Sequence, residues 1–283
     1  MSQALPLRVS PLVEAHFALD GGAMFGIIPQ PLWERTNPGD EQNRIDLACR
    51  CLLVEYADKR VLIDVGIGTK WSPKEVGIYN IRAQDDALKR ALALHSLSPD
   101  DIDEVVLTHL HFDHAGGVSY LDESGHTRAS FPGARHWLQK RNWAWAQSPS
   151  TRDGGSYRPA DFAFFDHADA PKLELVDGLA EILPGIEVMP CHGHTFGMQI
   201  AKITTAQHTY VFLADLIPTT SHLRDPYVMG YDLQPLVTVE EKREILYHAA
   251  RHDWILVFGH DPVRAFARVE MDKRGQPTAI PHA

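Results

Sequence analysis

Three histidines and an aspartate fall within six residues, His109-Leu110-His111-Phe112-Asp113-His114, directly behind the apolar run Val105-Val106-Leu107. A β-branched and leucine run of that kind reads as a buried strand. The polar cluster therefore sits at the strand's C-terminal edge, where loops carry chemistry. Imidazole and carboxylate together suit a borderline cation such as zinc, and no cysteine competes inside the cluster. In extended chain His109 and His111 point the same way, whereas Asp113 and His114 lie past the bend and can face a second ion. The alternative is a solvated polar loop, and four ligand-type side chains packed this closely before Gly116-Gly117 argue against it.

Further ligand-type residues stand at the ends of later apolar runs. His194 lies in Cys191-His192-Gly193-His194-Thr195-Phe196-Gly197, Asp215 follows Tyr210-Val211-Phe212-Leu213-Ala214, and His260 follows Trp254-Ile255-Leu256-Val257-Phe258-Gly259. His109-x-His111-x-Asp113-His114 matches the HxHxDH signature of the metallo-β-lactamase superfamily, and the His194 loop resembles that family's PGHTPG loop. The resemblance runs from about Asp20 to about Asp261, with every anchor in the family's order.

The resemblance implies a single α/β domain over residues 1–283, an αβ/βα sandwich of two mixed β-sheets flanked by helices. It also implies a ligand set: His109, His111 and His194 for one metal, Asp113, His114 and His260 for a second, and Asp215 bridging both. The cofactors would be two divalent ions, zinc first, with manganese, cobalt or iron as alternatives. A hydroxide bridging such ions is the natural nucleophile, because coordination lowers the pKa of water to about 7. Asp113 would orient it or pass its proton to the leaving group. Asp64, in Leu62-Ile63-Asp64-Val65-Gly66, resembles the family position that supports the metal loop from behind.

Composition bounds the rest. The chain has 283 residues, 44% hydrophobic and 23% charged, which is ordinary for a globular protein with a sizeable core. A net charge of −10 argues against nucleic acid and against an anionic membrane surface, since both reward lysine and arginine. Cys49, Cys51 and Cys191 form no disulfide framework, which fits a reducing compartment. Cys49 and Cys51 are expected in the core; Cys191, three residues before His194, is a conceivable but weaker thiolate ligand. No secretory signal precedes Ser10, so the cytoplasm is expected.

Elsewhere the pattern predicts a Gly-rich turn over 19–26, a hairpin from Cys49–Tyr56 and Arg60–Val65, and a helix over Ile81–Leu97. Thr238 and Glu241 read as a capping box for a helix running to about His252. The Trp-, Phe- and Pro-rich stretch of about 131–171 reads as an insertion that caps the site or forms a homodimer surface.

The superfamily hosts many reactions, so the ligand set alone names no substrate. Asp20-Gly21-Gly22-Ala23-Met24-Phe25-Gly26, Pro31-Leu32-Trp33, Asn43-Arg44-Ile45 and Met229-Gly230-Tyr231-Asp232 look like the YtnP-type branch, close to the N-acyl homoserine lactonases of quorum quenching. The implied partner is a small lactone or ester, its acyl tail in an apolar pocket around Met24, Phe25 and Phe112. One departure stands out: related lactonases place a tyrosine three residues after the bridging aspartate, where this chain has Pro218. His222 is the candidate substitute for stabilising the carbonyl. Alternatives are a phosphotriesterase or arylesterase like methyl parathion hydrolase, a glyoxalase II-like thioesterase, and, in a different class, a non-catalytic protein stapled by structural metal.

Overall fold

Runs of valine, leucine and isoleucine along the chain become strands, and the computed structural model describes residues 4–83, 86–167 and 170–282. In chain order the strands are β1 (Arg8–Asp20), β2 (Arg44–Glu55), β3 (Arg60–Ile63), β4 (Arg82–Ala83), β5 (Glu104–Val106), β6 (Ser119–Leu121), β7 (Thr127–Ala129), β8 (Arg135–Gln139), β9 (Leu173–Val176), β10 (Ala180–Leu183), β11 (Ile186–Cys191), β12 (Met198–Thr204), β13 (Thr209–Phe212), β14 (Ile255–Val257), β15 (Phe266–Met271) and β16 (Pro277–Pro281). One seven-stranded sheet has the order β4-β1-β2-β3-β5-β8-β9, and the other runs β10 to β16 in sequence. β6 and β7 pair only with each other. Both large sheets are mixed: β3, β5, β8 and β9 run parallel in the first, β13 and β14 in the second. Helices lie outside, so the fold is the expected α/β sandwich.

Alternation along β2 shows how the layers are specified. Leu52 and Val54 enter the core between the sheets, beside Val106, Ile200, Val211 and Phe212. Their neighbours Cys51 and Leu53 point the other way, under Leu92, Ile102 and Phe131. Both faces of β2 are thus buried, which its near-continuous apolar sequence requires. Cys49, Cys51 and Cys191 are free thiols in the core.

Local structure departs from the sequence reading in four places. The Gly-rich stretch is a short helix, Gly21–Phe25, because the Asp20 carboxylate accepts the Ala23 N–H at 2.7 Å and caps it. The helix expected over 81–97 is only Ala87–Ala93; Arg82 and Ala83 extend the sheet edge as β4, and residues 84–85 lie outside the described set. The helix ending at His252 starts at Pro235, with proline at its first position, so Thr238 lies inside it and no capping box forms. Finally, 131–171 is only partly an excursion, since it contains β8, an interior strand between β5 and β9; residues 168–169 are outside the described set.

Candidate metal centre

β5 ends at Val106 and the chain turns at once into the cluster. Asp64, at the end of the neighbouring β3, fixes that turn: its Oδ1 accepts the Thr108 N–H at 2.8 Å and its Oδ2 accepts the Thr108 hydroxyl at 2.9 Å. β12 reaches across from the second sheet, where Gln199 donates to the Thr108 and Leu107 carbonyls. Behind the loop, a side chain at Gly117 would place Cβ 2.1 Å from the Val65 carbonyl oxygen, so only glycine fits. His194 sits in the β11–β12 loop, which Glu241 secures by accepting the His192 and Gly193 N–H groups at 2.7 and 3.1 Å. Asp215 follows β13 in a tight turn, and His260 follows β14. Asp64 and Ala214 both adopt left-handed φ, +54° and +45°. Such backbone costs about 1–3 kcal/mol per residue and persists where surroundings over-determine it.

These loops bring seven buried side chains together in two groups: His109, His111, His194 and Asp215, and Asp113, His114 and His260. Asp215 joins the groups. Its Oδ2 lies 3.1 Å from His194 Nε2 and 3.9 Å from His109 Nε2, while its Oδ1 lies 3.0 Å from His260 Nε2 and 3.4 Å from His114 Nε2. Asp113 Oδ2 is 3.5 Å from His260 Nε2.

Outer hydrogen bonds set the imidazole tautomers. His260 Nδ1 donates to the Ala48 carbonyl at 2.8 Å, since a carbonyl can only accept. His114 Nδ1 donates to Asp64 Oδ2 at 2.7 Å, and His194 Nδ1 to Asp232 Oδ1 at 2.9 Å. With a cation bound, each of these rings would be neutral and turn an unprotonated Nε2 inward. The His114 and His260 Nε2 atoms face each other at 3.0 Å, and His194 Nε2 lies 3.1 Å from His111 Nδ1. Lone pairs held that close repel unless positive charge lies between them. His109 Nε2 and Asp215 Oδ1 are buried with no hydrogen-bond partner among the described residues, a costly arrangement for polar atoms. The residues fit divalent cations.

Electrostatics say the same. Burial opposes charge on His114, yet Asp215, Asp113 and Asp64 carry its pKa well above the usual value. Burial also opposes charge on His194, which Asp215 and Asp232 nevertheless carry up to about 10. His109 and His111 are pushed well down by burial and by neighbouring imidazoles. Burial works against ionised Asp215 as well, but His114, His194 and His260 hold it well below the ordinary carboxylate range. The carboxylates demand positive charge at the centre.

A cleft of about 240 Å³ opens over the centre, with Asp113, His111, His194, Asp215 and His260 on its floor. Met24 and Phe112 form part of its wall. Phe25 does not line it. Its ring is fully buried, stacked on Trp33 at 5.4 Å and on His222 at 4.5 Å between ring centroids. His222 is likewise unable to stabilise a substrate carbonyl. Its Nε2 donates to the Met24 carbonyl at 2.9 Å and its Nδ1 accepts from Thr219 Oγ1 at 2.8 Å, leaving no free nitrogen on a ring only 1% exposed. Cys191 belongs to the core between the sheets, where burial pushes its thiol well up. Sequence reasoning missed Asp232, Tyr79, Tyr231 and Arg152. Asp232 and Tyr231 stand in a stretch that already resembled the family; Tyr79 and Arg152 carry no local signal.

Residues 44–260 match the metallo-beta-lactamase superfamily model, and the chain belongs to that superfamily and is a hydrolase. A probable metallo-hydrolase of Mycobacterium tuberculosis is 25% identical over 244 residues, covering 77% of this chain and 76% of that protein. An N-acyl homoserine lactonase of a Bacillus species is 24% identical over 235 residues, covering 77% of this chain and 82% of its own. Among solved structures, a probable metal-dependent hydrolase from Staphylococcus aureus superposes with a TM-score of 0.85 at 30% identity, covering 100% of this chain and 99% of its own. A dizinc quorum-quenching lactonase in complex with a product shares the fold, with a TM-score of 0.79 at 19% identity over 100% of this chain and 98% of its own. No helix among the described residues is long and apolar enough to cross a membrane.

Proposed function

We propose that the chain is a dinuclear metal-dependent hydrolase of small uncharged carbonyl compounds, in the first place the lactone ring of N-acyl homoserine lactones. The observation that carries the reading is Asp215, which presents one oxygen to each of two groups of inward-facing donors. His109, His111 and His194 would hold one divalent ion, Asp113, His114 and His260 the other, with zinc the first candidate. Ions held there would acidify water and polarise a carbonyl.

The chain's own residues do the rest. Asp113, 8% exposed on the cleft floor, takes the proton released as water adds to the carbonyl and returns it to the leaving alkoxide. One water is consumed, the acyl C–O bond breaks, and the ring opens to a hydroxy acid. Tyr231, on the cleft wall, is pushed up to about 12 by burial and by Asp20, Tyr79 and Asp113. It stays protonated at neutral pH and donates to the carbonyl in the role that Pro218 cannot fill. Asp64 and Asp232 hold His114 and His194 in orientation. The stretch of about 131–171 acts as a cap through Gly155 and Ser156, which line the cleft. Three free cysteines favour the cytoplasm.

A triesterase or arylesterase is the second reading, favoured by Pro218 where lactonases keep a tyrosine. A substrate panel separates the two. The zinc-, manganese- or cobalt-loaded protein should open acyl homoserine lactones with kcat/KM of about 10⁴ M⁻¹s⁻¹ or more. Absent lactone turnover beside brisk cleavage of paraoxon-type triesters or aryl esters would give the site to the second reading.

A further inference from the structure

Behind the metal loop lies a second cavity, of about 550 Å³, which shares no lining residue with the cleft. Its volume falls in the usual range of small-molecule sites, about 300–1,000 Å³. Val65, Gly68 and Gly117 line it, and so does Glu14, which an irregularity in β1 brings there. Val13 pairs with Arg50 and Ala15 with Cys49, so Glu14 is the extra residue of a β-bulge, a feature that re-aims side chains. The residue before it, Val13, is 41% exposed, whereas Glu14 is 6% exposed. Gly66, at φ +77°, leaves room for it, since a side chain there would collide with Glu14 Oε2. That oxygen accepts the Ile67 N–H at 3.0 Å, and no lysine or arginine among the described residues forms an ion pair with the carboxylate. Burial prevails over the Ile67 and Gly68 N–H groups and pushes Glu14 up to about 7. A buried acid without a cation costs stability, and an acid so perturbed in a cavity marks a binding site.

The rest of the lining says what would satisfy that acid. Asp86, Asp100 and Lys89 stand exposed around the cavity, which makes three carboxylates to one ammonium with Glu14 included. Val65, Leu88 and Phe131 add apolar surface. A metal ion does not fit, because no three ligand-type side chains converge there among the described residues. We propose that the cavity is a second ligand site, for a small organic cation with its ammonium head on the Glu14 carboxylate and a short apolar body against Leu88 and Phe131. The charge-assisted hydrogen bond supplies the partner that the buried acid lacks. The site does not depend on the reaction carried out at the metal centre.

The test is calorimetric binding of 2-phenylethylamine to the zinc-loaded full chain, with neutral 2-phenylethanol and magnesium chloride as controls, in the wild type, Glu14→Gln and Ser130→Trp. Glutamine still accepts the Ile67 N–H and removes the charge; a tryptophan at Ser130, which lines the cavity, fills it without touching the acid's own bonds. The amine should bind saturably to the wild type, and roughly tenfold or more weaker to each variant, the worth of one charge-assisted hydrogen bond. The alcohol should be weaker by a similar factor and magnesium should not compete. Without amine, Glu14→Gln should melt no lower than the wild type, a result that a purely structural carboxylate would not give. Absence of saturable amine binding, equal affinity in wild type and variants, or equal affinity for the alcohol overturns the site. Competition by magnesium would make it an inorganic cation site and likewise overturn the proposal. If Glu14→Gln fails to fold, Ser130→Trp decides alone: retained affinity places the amine elsewhere and the proposal falls.

Discussion

On one side of Asp215 the third ligand position is an imidazole, His111; on the other it is a carboxylate, Asp113. The remaining parts of the two groups match. Each has one histidine backed by a carboxylate, His194 by Asp232 and His114 by Asp64, and one backed by an uncharged oxygen, His109 by the Thr108 hydroxyl at 3.0 Å and His260 by the Ala48 carbonyl. His109 is completely buried, whereas Asp113 lies on the cleft floor and is 8% exposed. The difference teaches how one centre divides its labour. Beside Asp215 the first group offers only imidazoles, whereas the second carries the extra negative charge of Asp113, the carboxylate to which the proposed mechanism gives the proton exchange.

The strongest way to break this comparison is to remove the residue the halves share. Asp215→Ala should lower kcat/KM by about 10⁴-fold or more and reduce bound metal in both groups. A variant that keeps one full equivalent and ordinary turnover would show that the halves do not depend on each other. Asp113→Asn sharpens the contrast. It removes the proton carrier but no ligand of the first group, so turnover should drop about 10²–10⁴-fold while one ion per chain remains after dialysis. Equal loss of both ions would contradict the division of labour.

Asp64→Asn and Asp232→Asn probe the matched parts. Each should weaken metal affinity about 10–100-fold by releasing the histidine it orients. Zinc titration against a competing chelator would measure both, and similar losses are expected. A large effect for one and none for the other would mean that the halves are not built alike.

The smallest effect lies away from the centre. His136 is buried in β8, where burial lowers its pKa to about 4. Between that value and the usual 6.5 the unfolded chain binds the proton more readily. Stability is therefore complete above about pH 6.5 and falls toward pH 4, by on the order of 3 kcal/mol. His136→Phe should flatten this acid limb in urea melts, leaving the share contributed by His222, also lowered to about 4 by burial. An unchanged limb would count against a buried neutral His136.

The sandwich and the seven clustered residues were legible because the HxHxDH stretch and the later His194, Asp215 and His260 match the superfamily's motifs in order, each following an apolar run; the two sheets bring those loops together. What was hidden depended on distance in the chain or on a small local choice. Asp232 backs His194 from 38 residues away and the Ala48 carbonyl backs His260 from 212, separations that no window of sequence contains. His222 looked free because a histidine beside serine and threonine carries no mark of the Met24 carbonyl that occupies it. Phe25 was displaced from the pocket by Asp20, whose capping of a short helix turned the ring toward Trp33. Glu241 was read as capping its own helix, but its carboxylate serves the His194 loop instead.

The most direct test of the account is the metal stoichiometry of the purified protein, measured by plasma emission spectrometry while zinc is restored to the chelated form and hydrolysis of an aryl ester or lactone is followed in the same samples. The account predicts two ions per chain and activity that returns only as they are restored. One ion per chain at full activity, or turnover indifferent to the chelator, would contradict it.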